Sequence, residues 1–409
     1  MNSFVDPLFA SCPDRHGTGA EKWNRWAGSL DRKGREILPV WVADMDFQAP
    51  IEVLEAMHRR VDHGVFGYTE DPPGFAPSLA EHLERLHGWA IDPEHVVGTP
   101  GVVTGLGLTA RLLAQADDEI ITFTPIYPPF LGLPGRAGRR VVRAELAARD
   151  VGTPAARWEI DFDTLAAAVT PRSRVLWLCH PQNPTGMVHS RQDLLALAAF
   201  AERHRLEVIS DEIWSDLILD GSPHVPFASL DHPVAARAVT LVAPSKTWNL
   251  AGLGCAAAII PDPLLRPRWR AAGGGLVPMV NPLGYAAAEA AWRHGDPWRR
   301  RLLRVLATHR DLVMETVSTL EGLSMVPPRA TYLCWIDCRD ALKGRGTDAQ
   351  SICEAAGLGT SDGRDFGTPG FVRINIACPT DRLREALRRL MEAFQGTGAS
   401  DGSDAAPLN

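Results

Sequence analysis

The most informative stretch of this sequence is residues 243–253, which read Ala243-Pro244-Ser245-Lys246-Thr247-Trp248-Asn249-Leu250-Ala251-Gly252-Leu253. It directly follows the apolar run 238–242, which predicts a buried β-strand. Lys246 would therefore emerge from the end of a strand into the cleft where open α/β sheets bind their ligands. A lysine held there can form a Schiff base with an aldehyde cofactor, which is covalent catalysis by an amine. For a lysine taken alone, an exposed loop position is the competing interpretation.

Two other polar residues follow apolar runs in the same way. Asp211 comes after the predicted strand 206–209, where an acid can pair with a pyridinium nitrogen and keep it protonated. Asn183 comes after the predicted strand 175–179, where its amide can donate to a phenolate oxygen on the same ring. Taken singly, Asp211 is as well explained by a helix N-cap, and the Asn-Pro-Thr-Gly segment by a turn. The order Asn, Asp, Lys, each after a short apolar strand, is much rarer than any one of these features.

With these residues and several further motifs, the sequence resembles the fold-type I pyridoxal phosphate (PLP) enzymes of the class I/II aminotransferase superfamily. Within that superfamily it is most similar to the cystathionine β-lyase-like C–S lyases. The resemblance extends from about Asp14 to about Phe394. The motifs that carry it are Lys22-Trp23, Val40-Trp41-Val42-Ala43-Asp44-Met45-Asp46-Phe47, Phe66-Gly67-Tyr68-Thr69, Pro100-Gly101-Val102-Val103, Tyr127-Pro128-Pro129-Phe130, Ser245-Lys246-Thr247, Ala330-Thr331-Tyr332-Leu333-Cys334-Trp335 and Arg373-Ile374-Asn375-Ile376-Ala377.

The resemblance implies an α/β fold, the three-layer PLP-transferase fold, with a large, mostly parallel sheet domain and a smaller α+β domain. The pattern of the chain agrees, because apolar strand patterns alternate with amphipathic helix patterns until about residue 285 and then give way to helix, strands and helix. We expect an N-terminal arm (1–50) that joins the small domain, a large PLP-binding domain (51–285), a small C-terminal domain (286–395) and a disordered tail (396–409).

The clearest elements can be predicted individually from periodicity and length. Strands are predicted at 119–123, 175–179, 206–209, 239–242, 256–260, 332–337 and 371–376, and helices at 103–113, 191–203, 297–320 and 381–394.

Composition excludes several classes of function. The chain has 409 residues, of which 45% are hydrophobic and 22% charged, as in an ordinary soluble protein with a large core. The net charge of −7 gives no basic surface for nucleic acid, and no apolar run reaches the ~20 residues of a membrane helix. The seven cysteines lack CxxC spacing and the N-terminus lacks a signal peptide, so we expect a cytoplasmic protein with reduced thiols. The 13 histidines show no metal-ligand spacing, so no metal is expected.

The PLP phosphate requires an anion site, and residues 101–105 are the best candidate. Gly101 precedes a predicted helix, so the backbone N–H groups of Gly101, Val102 and Val103 can bind an anion together with the helix dipole. A simple helix start is the alternative interpretation. Ser245 can add a hydroxyl donor, and Thr247 is a second candidate. Many aminotransferases carry an arginine a few residues after the lysine to bind the phosphate, and residues 249–254 contain none, which argues against an aspartate-type aminotransferase.

The resemblance also assigns residues to the substrate and to a second subunit. It implies that Tyr127 stacks on the cofactor ring and contacts the substrate. Tyr68 resembles a tyrosine that reaches into the neighbouring subunit's site, which makes the enzyme a homodimer with shared active sites. Both tyrosines join Lys246 as predicted catalytic residues, although a packed turn and a buried aromatic are the structural alternatives.

Arg373 stands among apolar residues in a strand pattern, where a guanidinium needs a carboxylate partner. The resemblance makes that partner the α-carboxylate of an amino-acid substrate, to which Ala43 adds a backbone N–H. A structural salt bridge is the alternative for Arg373.

Trp214 departs from the pattern of the family. Three residues after Asp211 the C–S lyases usually have histidine, and aspartate-type aminotransferases often have a tyrosine that bonds the ring oxygen. The indole of Trp214 can donate a hydrogen bond but cannot accept one. We therefore expect altered contacts around the cofactor. Met187, where relatives often have a basic residue, and the Gly-rich segment Gly273-Gly274-Gly275 are further departures, and together the three indicate a specialised S-cysteinyl substrate.

Three functions follow from these observations. The leading one is PLP-dependent β-elimination of a thioether amino acid, either cystathionine or a specialised S-substituted L-cysteine, to thiol, pyruvate and ammonia. The second is an aminotransferase, or a decarboxylative or oxidative deamination of an S-cysteinyl amino acid, because the same residues serve these outcomes. The third is a PLP-binding regulator, which is disfavoured because only about forty residues precede Trp41 and no helix-turn-helix fits there.

Overall fold

The computed structural model of the protein describes residues 6–395, so the expected disordered tail, 396–409, lies outside the described residues. The strands are β1 (Leu38–Pro39), β2 (Val96–Thr99), β3 (Glu119–Thr124), β4 (Arg140–Arg149), β5 (Arg157–Ile160), β6 (Ser173–Cys179), β7 (Glu207–Asp211), β8 (Val239–Val242), β9 (Ala256–Ile259), β10 (Leu333–Asp337), β11 (Leu358–Gly359), β12 (Ser361–Asp362) and β13 (Phe371–Asn375). The helices are α1 (Glu21–Asn24), α2 (Ile51–Asp62), α3 (Phe75–His87), α4 (Val102–Leu113), α5 (Pro128–Arg136), α6 (Phe162–Ala168), α7 (Arg191–Arg203), α8 (Pro233–Arg237), α9 (Leu265–Ala272), α10 (Pro282–His294), α11 (Asp296–Ser318), α12 (Ala349–Ala355) and α13 (Thr380–Gln395).

A central sheet of eight strands has the order β2-β9-β8-β7-β6-β3-β4-β5. Strands β4, β3, β6, β7 and β8 run parallel to their neighbours, whereas β9 runs antiparallel to β8 and β2, and β5 antiparallel to β4. The carboxyl ends of the five parallel strands therefore share one edge, the edge at which open α/β sheets bind ligands.

Helices cover both faces of this sheet and make three layers. Alternate residues of one strand enter different cores: Ile120 packs into the larger core and Ile121 into the smaller, which also holds residues of α6, α7 and α8. Because both faces are covered, the central strands read as continuous apolar runs. On the other face α4 lies so close to β8 that a Cβ at Gly105 would stand 2.8 Å from Leu241.

Two smaller sheets combine strands from the C-terminal part of the chain with β1 from its N-terminal part. Strand β13 pairs antiparallel with β10 and β12, so that Arg373 lies opposite Trp335 on one side and Ser361 on the other. Strand β1 pairs parallel with β11 and thereby ties the N-terminal residues to this part of the chain. The expected boundary at 285/286 falls within α10, and the division into domains stays a proposal.

The α/β class, the mostly parallel sheet and the individually predicted elements are confirmed, with ends that move by one or two residues. One shift matters for the site, because β7 extends to Asp211 and makes it the last residue of the strand. Six of the seven cysteines are buried and all seven are free thiols. Among the described helices, none combines the length and the apolar character that a bilayer crossing requires.

Candidate active site

The carboxyl edge of the sheet brings the predicted residues together. Asn183 follows β6, Asp211 ends β7 and Lys246 follows β8. Arg373 of β13 reaches the same place from the smaller sheet, since its Nη1 donates a hydrogen bond of 2.9 Å to Oδ1 of Asn183. Tyr127 is the N-cap of α5, three residues after the end of β3; burial raises the pKa of its hydroxyl, on which the charges of Arg373 and Asp211 also act. The structure thus places five sequence-predicted residues in one site.

The amine of Lys246 is held by a backbone carbonyl and not by an acid. Its Nζ donates to the carbonyl oxygen of Ala43 at 2.7 Å, and the hydroxyl of Tyr332 donates to the same oxygen at 3.0 Å. Burial, reinforced by the nearby Arg373 guanidinium, lowers the pKa of Lys246 from 10.5 to about 8. About a tenth of an amine with that pKa is neutral at pH 7, far more than for a lysine in water, and the neutral form is the one that acts as nucleophile and general base.

Asp211 is a buried carboxyl without a matching cation. One oxygen accepts the backbone N–H of Ile213 at 3.1 Å, and burial raises the pKa of the carboxyl to about 7. Within residues 6–395, no Lys, Arg or His nitrogen lies within salt-bridge distance of it. A pyridinium N–H would supply the missing charge and the missing hydrogen bond, so Asp211 fits the ring nitrogen of PLP.

The anion site predicted around Gly101 is the N-terminus of α4. Gly101 is the N-cap and provides no side-chain cap, so the first N–H groups of the twelve-residue helix, from Val102 and Val103 onward, remain for an anion. Ser245 borders Lys246, whereas the hydroxyl of Thr247 faces Asp216 at 3.5 Å instead. This donor set fits a phosphate in chemistry and charge.

Arg373 is suited to bind a substrate carboxylate because no carboxylate of the described chain pairs with it. The side chain is 5% exposed; Nη2 donates to the carbonyl of Trp41 at 2.7 Å and to Ser361 at 3.3 Å. Its Nε–H has no acceptor, and no acid of the described chain forms a salt bridge with it. The guanidinium also lies over the ring of Phe366, with 4.6 Å between its central carbon and the ring centroid. A guanidinium fixed in this way, with free N–H groups, can receive an α-carboxylate.

The loop 41–47, which carries Ala43, is fixed from two sides. Nδ2 of Asn375, on β13, donates to the carbonyl of Val42 at 2.6 Å, and Nδ2 of Asn249 donates to the carbonyl of Met45 at 3.0 Å. Ala43 was expected to offer its N–H to a substrate. The structure shows its carbonyl facing Lys246, and the predicted role of the N–H stays a prediction.

A buried ionic cluster supports the same loop. Asp46 pairs with Arg15 at 2.9 Å, Lys22 at 3.2 Å and Arg382 at 2.9 Å, and Arg15 also pairs with Asp44 at 2.6 Å. Asp46 therefore holds both the N-terminal residues and α13 against the loop, and Asp44 adds a second contact to the N-terminal residues.

Trp214 and Tyr68 lie in contrasting surroundings. Trp214 is buried, packs edge-on against Tyr332 with ring centroids 4.9 Å apart, and its ring lies 5.7 Å from Nζ of Lys246. Tyr68 is fully exposed, at 105% of the reference area, on the surface of the chain. The structure of one chain therefore does not bring Tyr68 into that chain's own site.

Sequence reasoning assigned no role to Tyr332, Phe366, Ser361 or Asp216. Tyr332 lies within a quoted motif, as the first residue of a predicted strand, so its position at the end of that strand is the available signal. Ser361 meets Arg373 through the pairing of β12 with β13, and Phe366 meets it through its ring in the turn after β12; no local pattern reveals either contact.

Comparison with known proteins agrees with this geometry. A family model described as aminotransferase class I and II matches residues 38–390. Cystathionine β-lyase PatB of Bacillus subtilis is 36% identical over 390 residues, which cover 93% of this chain and 98% of that protein. A crystal structure of OvoB has a TM-score of 0.88 with 42% identity and covers 96% of this chain and 99% of the other. Cystalysin of Treponema denticola, solved with a PLP cofactor, has a TM-score of 0.87 with 29% identity and covers 96% and 99%.

Proposed function

Since this chain belongs to the aminotransferase class I and II family, we propose that it is a PLP-dependent carbon–sulfur β-lyase. Its substrate is an S-substituted L-cysteine, and its products are a thiol, pyruvate and ammonia. The observation that carries this proposal is the pairing of Lys246, whose pKa is lowered to about 8, with Arg373, a guanidinium that has no carboxylate partner in the described chain. One residue can hold the substrate while the other removes its α-proton.

The residues of the chain have separate tasks in this reaction. The N-terminus of α4 would hold the phosphate of PLP, and Asp211 would accept a hydrogen bond from its ring nitrogen. When bound, PLP takes up the electron pair that the α-carbon releases. Arg373 binds the α-carboxylate and fixes the direction of the Cα–H bond.

The amine of Lys246 accepts the α-proton. The bond between Cβ and sulfur then breaks, the thiolate leaves with the bonding electrons, and a proton makes it a thiol. Water converts the remaining three-carbon fragment to pyruvate and ammonia. In this proposal Trp214 and Tyr127 line the space around the amine of Lys246. Because the Trp214 ring is large, the proposal includes a specialised S-substituent on the substrate.

The proposed enzyme is a homodimer in which Tyr68 of each subunit enters the neighbouring site. The support is the exposure of Tyr68, together with the neighbouring Val65 at 62% and Phe66 at 55%. An aromatic and apolar segment of this kind is typical of a surface that a partner covers. Its location in the cytoplasm belongs to the same proposal and is supported by seven free thiols.

The direct test is incubation of the purified enzyme with L-cystathionine and a panel of S-alkyl and S-aryl cysteines, without any keto acid. We expect free thiol and pyruvate in equal amounts, with rates that depend on the S-substituent. Plain cystathionine as the best of many thioethers would contradict the specialised substrate. Loss of the visible cofactor absorbance without thiol release would contradict the lyase and support the aminotransferase alternative.

A further inference from the structure

A buried cluster of one acid and two histidines has no role in the proposed reaction. The carboxylate of Asp216 accepts hydrogen bonds from Nε2 of His82 and Nε2 of His87, each at 3.0 Å. All three side chains are less than a tenth exposed. Burial would raise the pKa of Asp216, but the two imidazoles hold it well below its usual range, so the carboxylate is ionised.

The three ligand-type atoms lie within 4.8 Å of one another, a spacing that a metal ion could occupy. The contact between Arg85 and His82 favours a hydrogen-bonded cluster over a metal site. Its Nη2 lies 3.2 Å from Nδ1 of His82, and arginine can only donate, so Nδ1 carries the lone pair and Nε2 carries the proton. A metal ligand needs its lone pair on the nitrogen that faces the metal. His82 is therefore a donor to Asp216.

The cluster of Asp216 and the two histidines contacts both residues that follow Lys246. Oδ2 of Asp216 also faces the hydroxyl of Thr247 at 3.5 Å. The ring of His82 packs edge-on against Trp248, with 5.5 Å between ring centroids. Nε1 of Trp248 donates to the carbonyl of Gly295 at 3.0 Å, and a Cβ at Gly295 would overlap the indole. Trp248 thus has one tightly defined position.

Asp216 also belongs to the turn that carries the partner of the ring nitrogen. It stands five residues after Asp211, and Trp214 lies between them. The same short segment therefore presents Asp211 to the cofactor, Trp214 to Lys246 and Asp216 to the residues after Lys246.

We propose that Asp216 is a positioning residue for Lys246, because it joins the turn that carries Asp211 to the loop that carries the amine. This inference rests on the proposed function, in which the amine must stand within reach of the substrate's Cα–H bond. A displacement of about 1 Å between such groups can cost about 100-fold in rate.

Glu212 provides a matched control on the same turn. It is a buried carboxyl that accepts from Nε2 of His224 at 2.7 Å, from the hydroxyl of Ser210 at 2.7 Å and from the backbone N–H of Phe227 at 2.9 Å. None of these hydrogen bonds involves residues 245–248. Glu212→Gln and Asp216→Asn therefore make the same chemical change in equally buried carboxylates that differ in their contact with the lysine loop.

The experiment compares the full-length holoenzymes of both variants. We expect Asp216→Asn to lower kcat at least about tenfold, with KM within about threefold and unchanged PLP content, because the amine is misplaced. Glu212→Gln should keep kcat within about threefold, although both variants lose Tm. Equal losses of kcat in the two variants would overturn the proposal, since both changes would then act through stability alone.

A second readout requires no turnover. In protein stripped of PLP, the rate at which trinitrobenzenesulfonate labels Lys246 follows its neutral fraction and can be measured by peptide mass spectrometry. Nζ faces Ala43 and the charges of Arg373, Asp44 and Asp211. A loosened loop hydrates the amine, so we expect the pH midpoint of labelling to rise in Asp216→Asn and to stay in Glu212→Gln. An unchanged or lower pH midpoint in Asp216→Asn would overturn the proposal. Loss of the negative charge of Asp216 would by itself lower the pKa of Lys246, so only a displaced amine can raise the midpoint.

Thr247→Val serves as the second variant if Asp216→Asn does not fold. It keeps the shape of the side chain and removes only the hydroxyl that faces Asp216, so a smaller shift in the same direction is expected. An unchanged midpoint in Thr247→Val, with Asp216→Asn unfolded, would overturn the proposal. Because labelling is independent of the substrate, absence of lyase activity in the unmodified enzyme would refute the proposed function and leave this test intact.

Discussion

Lys246 shows how a single residue acquires its chemistry from what surrounds it. The side chain has no acid within hydrogen-bonding distance in the described structure; its Nζ donates to the carbonyl of Ala43, and burial lowers its pKa to about 8. At pH 8, a lysine side chain in water would be almost fully protonated. The site therefore activates the amine by keeping water away from it, and the neighbouring Arg373 adds to the effect.

A pH dependence follows for the capture of PLP by the stripped protein. The group loses its proton as pH rises, and only the neutral amine attacks the aldehyde. We expect the capture rate to rise about tenfold per pH unit below pH 8 and to level off above it. Stopped-flow absorbance would measure this, with Nα-acetyl-lysine as a control whose rate keeps rising towards its own pKa. A rate that still rises steeply at pH 10 would contradict the lowered pKa.

Arg373 gives a second prediction at this scale. Arg373→Lys keeps a positive charge but loses the planar set of N–H groups that binds a carboxylate at two points. We expect kcat/KM for the thioether substrate to fall at least about 100-fold, since hydrogen bonds to charged groups contribute about 1.5–3 kcal/mol each. The measurement is steady-state kinetics. The control substrate is the matching S-substituted cysteamine, which has no carboxylate; an equal loss on it would contradict carboxylate binding.

At the scale of elements, the loop 41–47 depends on charges from distant parts of the chain. Asp46 is buried between Lys22, Arg15 and Arg382, so one acid connects the N-terminal residues to α13. Lys22 is only 1% exposed. The loop carries the carbonyl that holds Lys246, so the order of the site depends on this cluster.

Removal of the charge at this point should be costly. Asp46→Asn leaves the buried Lys22 without full compensation, and we expect a loss of about 3–5 kcal/mol in the free energy of unfolding. Urea denaturation of the stripped protein would measure it. Asp381→Asn, which changes a side chain 94% exposed on α13, is the control and should stay within about 0.5 kcal/mol. Equal effects would show that the cluster contributes nothing.

The same cluster predicts a loss of stability in acid. Burial would raise the pKa of Asp46, but Lys22, Arg382 and Arg15 lower it below its usual value in the folded state. The stabilisation is therefore present above the unfolded pKa and disappears as pH falls through the folded one. Asp46→Asn should accordingly flatten this acid limb of the stability curve, which urea denaturation at several pH values would show.

The elements that sequence patterns predicted are those with one dominant signal. Strands β6, β7 and β8 are buried on both faces and read as continuous apolar runs, so their positions were found. Strand β4 was not, because Arg140–Arg149 mixes arginine, alanine and glutamate, residues that favour helices. Its pairing with β3 over six residues overrides that preference.

The residues of the site likewise fall into those that local sequence patterns locate and those that they do not. Residues at strand ends, such as Asn183 and Asp211, can be located from the strands that precede them. The contact of Tyr332 with Ala43 spans 289 positions, and that of Asp216 with His82 spans 134. Such contacts depend on how the layers pack, and no local pattern contains that information.

At the scale of the whole molecule, the exposed segment around Tyr68 requires an explanation. Val65, Phe66 and Tyr68 are each more than half exposed, although apolar side chains usually cluster inside. Asp71, three residues on, accepts hydrogen bonds from the hydroxyl of Tyr285 and, at 3.1 Å, from the backbone N–H of Gly98. The segment is thus anchored at one end while its aromatic side chains face outward, as a surface shared by two subunits would require.

Mixed dimers test whether Tyr68 acts across such a surface. Tyr68→Phe and Lys246→Ala each disable every site of their own homodimer if Tyr68 serves the partner's site. In a mixed dimer, one site combines an intact Lys246 with an intact Tyr68 from the other chain. Random reassortment of equal amounts makes about half the dimers mixed, each with one working site, so we expect about a quarter of the unmodified activity. Refolding the two variants together, with separately refolded samples as the control, measures this. If Tyr68 acts within its own chain, the mixture shows only the residual activities of the two variants, because no site then gains what it lacks.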